Sequence, residues 1–174
     1  MLLLPGDPGA SVLGYDLPRL HAALNDFPAA LLVAAVLFDL VALLARRDSL
    51  RTAGFWCLVA GTAGAGLAVV SGLLAEDLIP HGGAAHELME EHERLGLITL
   101  ALFAAALAWR LLRERRWALG ERALHLGLTL VATVVLVSAA QHGGDLVFEH
   151  AGGIRTEVLE QELQTRAAGH DHRE

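Results

Sequence analysis

Hydrophobic positions in this chain gather into four long blocks, at residues 27–45, 53–75, 95–112 and 123–140, separated by short polar stretches. Each block approaches the ~20 residues a helix needs to cross a ~30 Å hydrocarbon core. The blocks lack the polar stripe that a helix on the surface of a soluble protein would carry. A helix is also the one open segment that satisfies its own backbone in lipid. The pattern therefore predicts an all-α fold, a bundle of four antiparallel transmembrane helices.

Punctuation between the blocks agrees. Asp26 suits an N-cap and Pro28 a first helical turn, where a missing N–H costs nothing. The connections at 46–52 and 113–122 are short and force antiparallel neighbours, while 76–94 is longer and holds Pro80, Gly82 and Gly83 as turn signals. The chain divides into an N-terminal segment (1–26), the four-helix transmembrane domain (27–150) and a polar tail (151–174). In the tail, Val158, Leu159 and Leu163 mark a short amphipathic helix that would rest on the membrane or on a partner. The first residues, Met1 to Pro5, have no basic flank and too short an apolar run for a cleaved signal peptide, so the first span is expected to direct insertion.

Composition sharpens this picture. Hydrophobic residues make up 54% of the 174 positions and charged residues 19%, against a usual ~25% charged. Intrinsic disorder is excluded, since it requires low hydrophobicity, and a net charge of −7 argues against a nucleic-acid partner. Arginine sets the orientation. Arg46, Arg47 and Arg51 flank the first connection, and Arg110, Arg113, Arg115, Arg116 and Arg122 the third; these are eight of the thirteen basic residues. The positive-inside rule makes that side cytoplasmic, so both termini and the acidic middle connection face outward from a bacterial plasma membrane. The single cysteine, Cys57, excludes an internal disulfide, a thiolate zinc site and a C-x-x-C-H haem attachment. In the second span Gly54, Gly61, Ala65, Ala68, Gly72 and Ala75 share one face, read as a surface for close helix packing.

Nine histidines carry the candidate chemistry. His21, His81, His86, His92, His142 and His150 fall at or beyond the outward ends of the spans, and His125 near the cytoplasmic end. His92 and His142 flank neighbouring spans at nearly equal depth, with His21 on the same side. An ionisable residue at membrane depth is by default a functional one, and neutral imidazole is the commonest metal ligand. Haem iron takes axial histidine; Gly96 and Thr99 follow His92, while Ser138 precedes His142 and Gly143-Gly144 follow it, small residues that let a flat macrocycle approach. His92 and His142 are thus the expected axial pair for haem b, with His21 as substitute. A single transition-metal ion held among His21, His86, His92, His142 and His150 is the competing assignment. A di-iron centre is disfavoured because no Glu has a His three residues on, and His86-Glu87-Leu88-Met89-Glu90 lacks the second histidine of a zinc-protease helix. His81 reads as a solvated loop residue, and His170 and His172 as tail residues. Asp39 lies about two turns before Arg46 and His125 within one turn of Arg122, either as a proton-path pair or, preferred, as partners of the arginine-rich connections.

At these residues a resemblance emerges. Residues 21–32, His-Ala-Ala-Leu-Asn-Asp-Phe-Pro-Ala-Ala-Leu-Leu, followed by Phe38-Asp39-Leu40, resemble the His-Pro-x-x-Val-x-Phe-Pro-Ile-Gly-Leu-Leu opening of a bacterial membrane family. That family is catalogued as domain of unknown function 2231. Its closing Gly-Gly-Glu-Leu-Val-Tyr-x-His-Gly-x-Gly-Val is similar to residues 143–154. The resemblance implies four membrane helices and points to electron transfer, because related domains occur fused to Rieske or cytochrome c modules. It aligns His21, His92 and His150 with recurrent family histidines, and places His142 before the Gly-Gly pair as in some members. Ala22 replaces the usual proline, and Asp26 stands where many members have a second histidine, so a ligand set using that histidine would be broken.

The sequence-level expectation is a small b-type cytochrome that exchanges electrons with quinol or a redox partner protein. A metal-handling membrane protein and a structural subunit of a larger complex are the alternatives.

Overall fold

The computed structural model describes residues 15–79, 82–113, 117–167 and 169. His81, Arg115, Arg116, His170 and His172 lie outside the described residues. Four long helices, α1 (Leu17–Ala45), α2 (Asp48–Glu76), α3 (Ala84–Arg113) and α4 (Leu119–Phe148), precede a short α5 (Thr156–Ala167).

The helices outrun the hydrophobic blocks. The first begins ten residues before the expected Asp26 cap: Asp16 is the N-cap, its carboxylate accepting the Arg19 N–H at 3.1 Å, and Pro18 occupies the first turn. Pro28 is an interior residue of α1, buried against α2 beside Gly64. Backbone hydrogen bonding continues through Arg19, His21, Asn25 and Asp26 because polar side chains end an apolar block, not a helix. At 29 or 30 residues each, the four helices rise ~44 Å, the thickness of a bilayer including its headgroups. Two residues suffice to reverse the chain after α1: Arg46 adopts the left-handed conformation (φ 53°), and both Arg46 and Arg47 donate to the Ala42 carbonyl.

α1 packs on α2 and α4, and α3 packs on the same two, so α1 and α3 face each other across a diagonal. The small-residue stripe of α2 faces α1: a side chain at Gly54, Gly61 or Gly72 would collide with Asp39, Leu32 or His21 respectively. Leu32, Leu58, Phe103, Ala106 and Ala132 are almost wholly enclosed. Large apolar side chains such as Leu44, Trp56, Leu112 and Val134 cover the outside, as lipid contact requires. The protein is a multi-pass membrane protein with four candidate spans, each helix long and apolar enough to cross the bilayer. α5 touches none of the four and leaves Val158 and Leu163 exposed.

Candidate functional site

Helical periodicity places His21, Leu32 and Asp39 on one face of α1, and His92, Phe103 and Arg110 on one face of α3. Eighteen residues, five turns, separate the first and last member of each set, so they lie ~27 Å apart along the bundle. The inward faces of the diagonal pair thus carry imidazoles at the end near the termini and an ionic pair at the arginine-rich end.

At the histidine end the rings of His21 and His92 approach to 6.1 Å between centroids, with planes at 78°. The His21 Nδ1–H donates to the Ala68 carbonyl of α2 at 2.9 Å, with the Ser71 hydroxyl 3.2 Å away. The His92 Nδ1–H donates to the Ala139 carbonyl of α4, also at 2.9 Å. A carbonyl can only accept, so each neutral ring is held in the tautomer whose Nε2 carries the lone pair. A second-shell carbonyl fixing Nδ1–H is the arrangement that orients and strengthens an imidazole ligand. Both rings line a cavity of about 530 Å³ that also touches Pro28, Leu32, Gly96 and Thr99, within the ~300–1,000 Å³ common for small-molecule and cofactor sites. Thr99 is 3% exposed and its Oγ1 has no hydrogen-bond partner among the described residues. A buried hydroxyl without a partner is costly, and a bound molecule would relieve it. A side chain built at Gly96 would meet open space.

The remaining sequence candidates lie elsewhere. His142 donates from Nδ1 to the Ser138 carbonyl of its own helix at 2.8 Å, and neither residue is among those lining the cavity. His86 is exposed, 3.5 Å from Glu90, and His150 is exposed in the turn after α4. The pair brought together is therefore His21 with His92, on diagonal helices, instead of His92 with His142 on adjacent ones. Among the described residues no group of three or more His, Cys, Asp or Glu is placed to hold a metal ion.

At the opposite end Asp39 takes Arg110 as its partner. Arg110, with no exposed surface, donates from Nη1 to Asp39 Oδ2 at 2.6 Å and from Nη2 to the Arg51 carbonyl at 2.7 Å, and its guanidinium lies 5.5 Å from the Phe55 ring centre. His125 donates from Nε2 to the Ala106 carbonyl at 3.1 Å and packs against Trp117 and Trp109. The structure thus gives Asp39 and His125 separate anchors: an arginine for Asp39, and for His125 a backbone carbonyl of α3 and two tryptophans in place of the connection arginines. Arg110 was grouped with the connection arginines on charge alone, although it stands inside an apolar run. The carbonyls of Ala68 and Ala139 carry no side-chain signal at all.

Residues 18–156 match a family described as a predicted membrane protein (DUF2231). No curated protein and no solved structure matches the chain. The chain belongs to this predicted membrane protein family.

Proposed function

We propose that this member of the family is a small b-type cytochrome, in which His21 and His92 hold haem iron near the outward membrane face and the protein passes electrons between quinol or a redox partner and an exterior acceptor. The observation that carries the reading is the pair of imidazoles facing one another across the bundle, each with Nδ1–H tied to a backbone carbonyl and Nε2 left for a ligand. The cavity and the partnerless Thr99 hydroxyl support it. Two protein ligands are enough for haem iron, whose macrocycle supplies the rest, whereas a zinc ion takes three or four. The haem reading therefore fits the described residues better than a bare copper, zinc or iron ion does. Haem would supply the one-electron chemistry; the chain's own part is to fix both imidazoles and keep water from the site.

Detergent-purified protein, produced with added haem precursor, is expected to show a Soret band and α-bands that sharpen on dithionite reduction. A colourless preparation would count decisively against the cytochrome, and elemental analysis of the same sample identifies a metal ion if one replaces haem.

The orientation follows from the arginine asymmetry, with both termini and the histidine end outside a bacterial plasma membrane. In a Cys57→Ala background, Glu149→Cys is expected to react with a membrane-impermeant maleimide on intact cells and Ser49→Cys only after lysis. The reverse pattern would invert the topology and move the site to the cytoplasmic side.

A further inference from the structure

The two imidazoles are held by the same local arrangement, repeated. His21 donates to a carbonyl 47 residues further on, Ala68, and lies against Gly72; His92 donates to a carbonyl 47 residues further on, Ala139, and lies against Gly143. A Cβ placed on either glycine would come within 2.9 Å of Cε1 of its histidine. The second set is the first displaced by 71 positions, and the same displacement brings the residue ranges of the α1–α2 hairpin into register with those of α3–α4. It also carries Leu32 to Phe103 and Ala35 to Ala106, four residues each no more than 2% exposed, and Asp39 to Arg110.

Residues related by a two-fold rotation meet one another only at the axis. His21 meets His92 at 6.1 Å between ring centres, and Asp39 meets Arg110 at 2.6 Å, at opposite ends of the bundle. A pseudo-two-fold axis therefore runs the length of the molecule between α1 and α3. Parallel repeats about an axis normal to the membrane are a known way to build a site at their interface. Whatever binds on this axis at the histidine level meets both imidazoles equally.

The spacing limits what that can be. Metal–imidazole bonds of ~2.0–2.1 Å, with each nitrogen about 1.2 Å from its ring centre, place the two ring centres roughly 6.5 Å apart. The observed 6.1 Å between ring centres is close to that separation and too short for a bridging organic group. The symmetry also explains the position of His142. Its counterpart is Ser71, whose hydroxyl lies 3.2 Å from Nδ1 of His21, on the side of the ring that does not offer a lone pair.

We infer that the two hairpins are equivalent half-sites of one metal centre, which His21 and His92 ligate from opposite sides through Nε2. The identity of that centre as haem iron rests on the function proposed above; the paired geometry does not.

The test compares full-length wild type with His21→Ala, His92→Ala and His142→Ala, purified after haem supplementation and read by optical and electron paramagnetic resonance spectra. Wild type is expected to be six-coordinate and low-spin. His21→Ala and His92→Ala should turn high-spin to the same extent and recover with added imidazole, while His142→Ala stays low-spin. Gly72→Ala and Gly143→Ala, which displace the rings without removing them, should give matched and smaller losses. A low-spin spectrum kept by either histidine variant, or lost in His142→Ala, overturns the paired site and leaves the cytochrome standing. If wild type takes up no haem, the cytochrome reading fails and the same proteins are titrated with Co²⁺. One ion per chain, weakened about tenfold or more by either substitution, upholds the pair; absent binding, or binding unchanged by one of them, overturns it.

Discussion

Arg110→Met is expected to destabilise the bundle by about 3–5 kcal/mol, the usual cost of removing one partner from a buried ion pair. Arg110 has no exposed surface, and its guanidinium joins three helices: it bonds Asp39 of α1 and the Arg51 carbonyl of α2, and it packs near Phe55. Methionine fills similar space but leaves the Asp39 carboxylate, 12% exposed, without that cation. The penalty therefore arises from the charge left behind more than from the bond lost. The double variant Asp39→Asn/Arg110→Met should recover most of the stability, because it withdraws both charges together. Unfolding in mixed micelles, followed by helical circular dichroism, measures all three proteins. A single variant within ~1 kcal/mol of wild type would mean that the pair behaves like an exposed one and does not anchor this end.

Phe103→Ala is expected to cost about 2.5 kcal/mol, from roughly 100 Å³ of vacated volume at ~24 cal/mol per Å³ of cavity. In lipid the transfer term that adds to this figure in soluble proteins is largely missing, since the membrane is as apolar as the core. What remains is the loss of packing. Phe103 is fully enclosed and belongs to the cluster of Leu32, Leu58 and Leu126, midway between the histidine and ionic pairs. Leu112→Ala, at a position 83% exposed, should change stability little and serves as the control. Equal effects at the two positions, in the same micelle assay, would contradict the packed core between the two ends.

Reading the helices from hydropathy succeeds where lipid selects the side chains and falls short where it does not. Residues 17–26 are as helical as 27–45, yet Arg19, His21, Asn25 and Asp26 interrupt the apolar run and hide three turns of α1. For the same reason His21 looked like a residue preceding a span, when it is a member of the inward face of α1. Asp39 pointed correctly to an ionic contact with the arginines, but its partner was hidden among eight arginines near that side. Depth and small neighbours single out His92 as a candidate. Depth along the membrane says nothing about which helices face each other, so the sequence favours His142 over His21 as its neighbour, while the structure sets His21 beside it. The repeat that relates His21 to His92 is present in the sequence, but its internal matches are mostly of shape and position, such as Leu32 with Phe103, and one is of opposite charge.

Four long apolar blocks determined that this chain has four candidate membrane spans, since each must hide its backbone from hydrocarbon by forming a helix. The arginine clusters determined which connections belong together on one side. Tertiary structure decided the pairing across the diagonal, because in a four-helix ring only packing sets which faces turn toward the axis. It also decided the tautomer of each imidazole, through backbone carbonyls of neighbouring helices that no side chain announces.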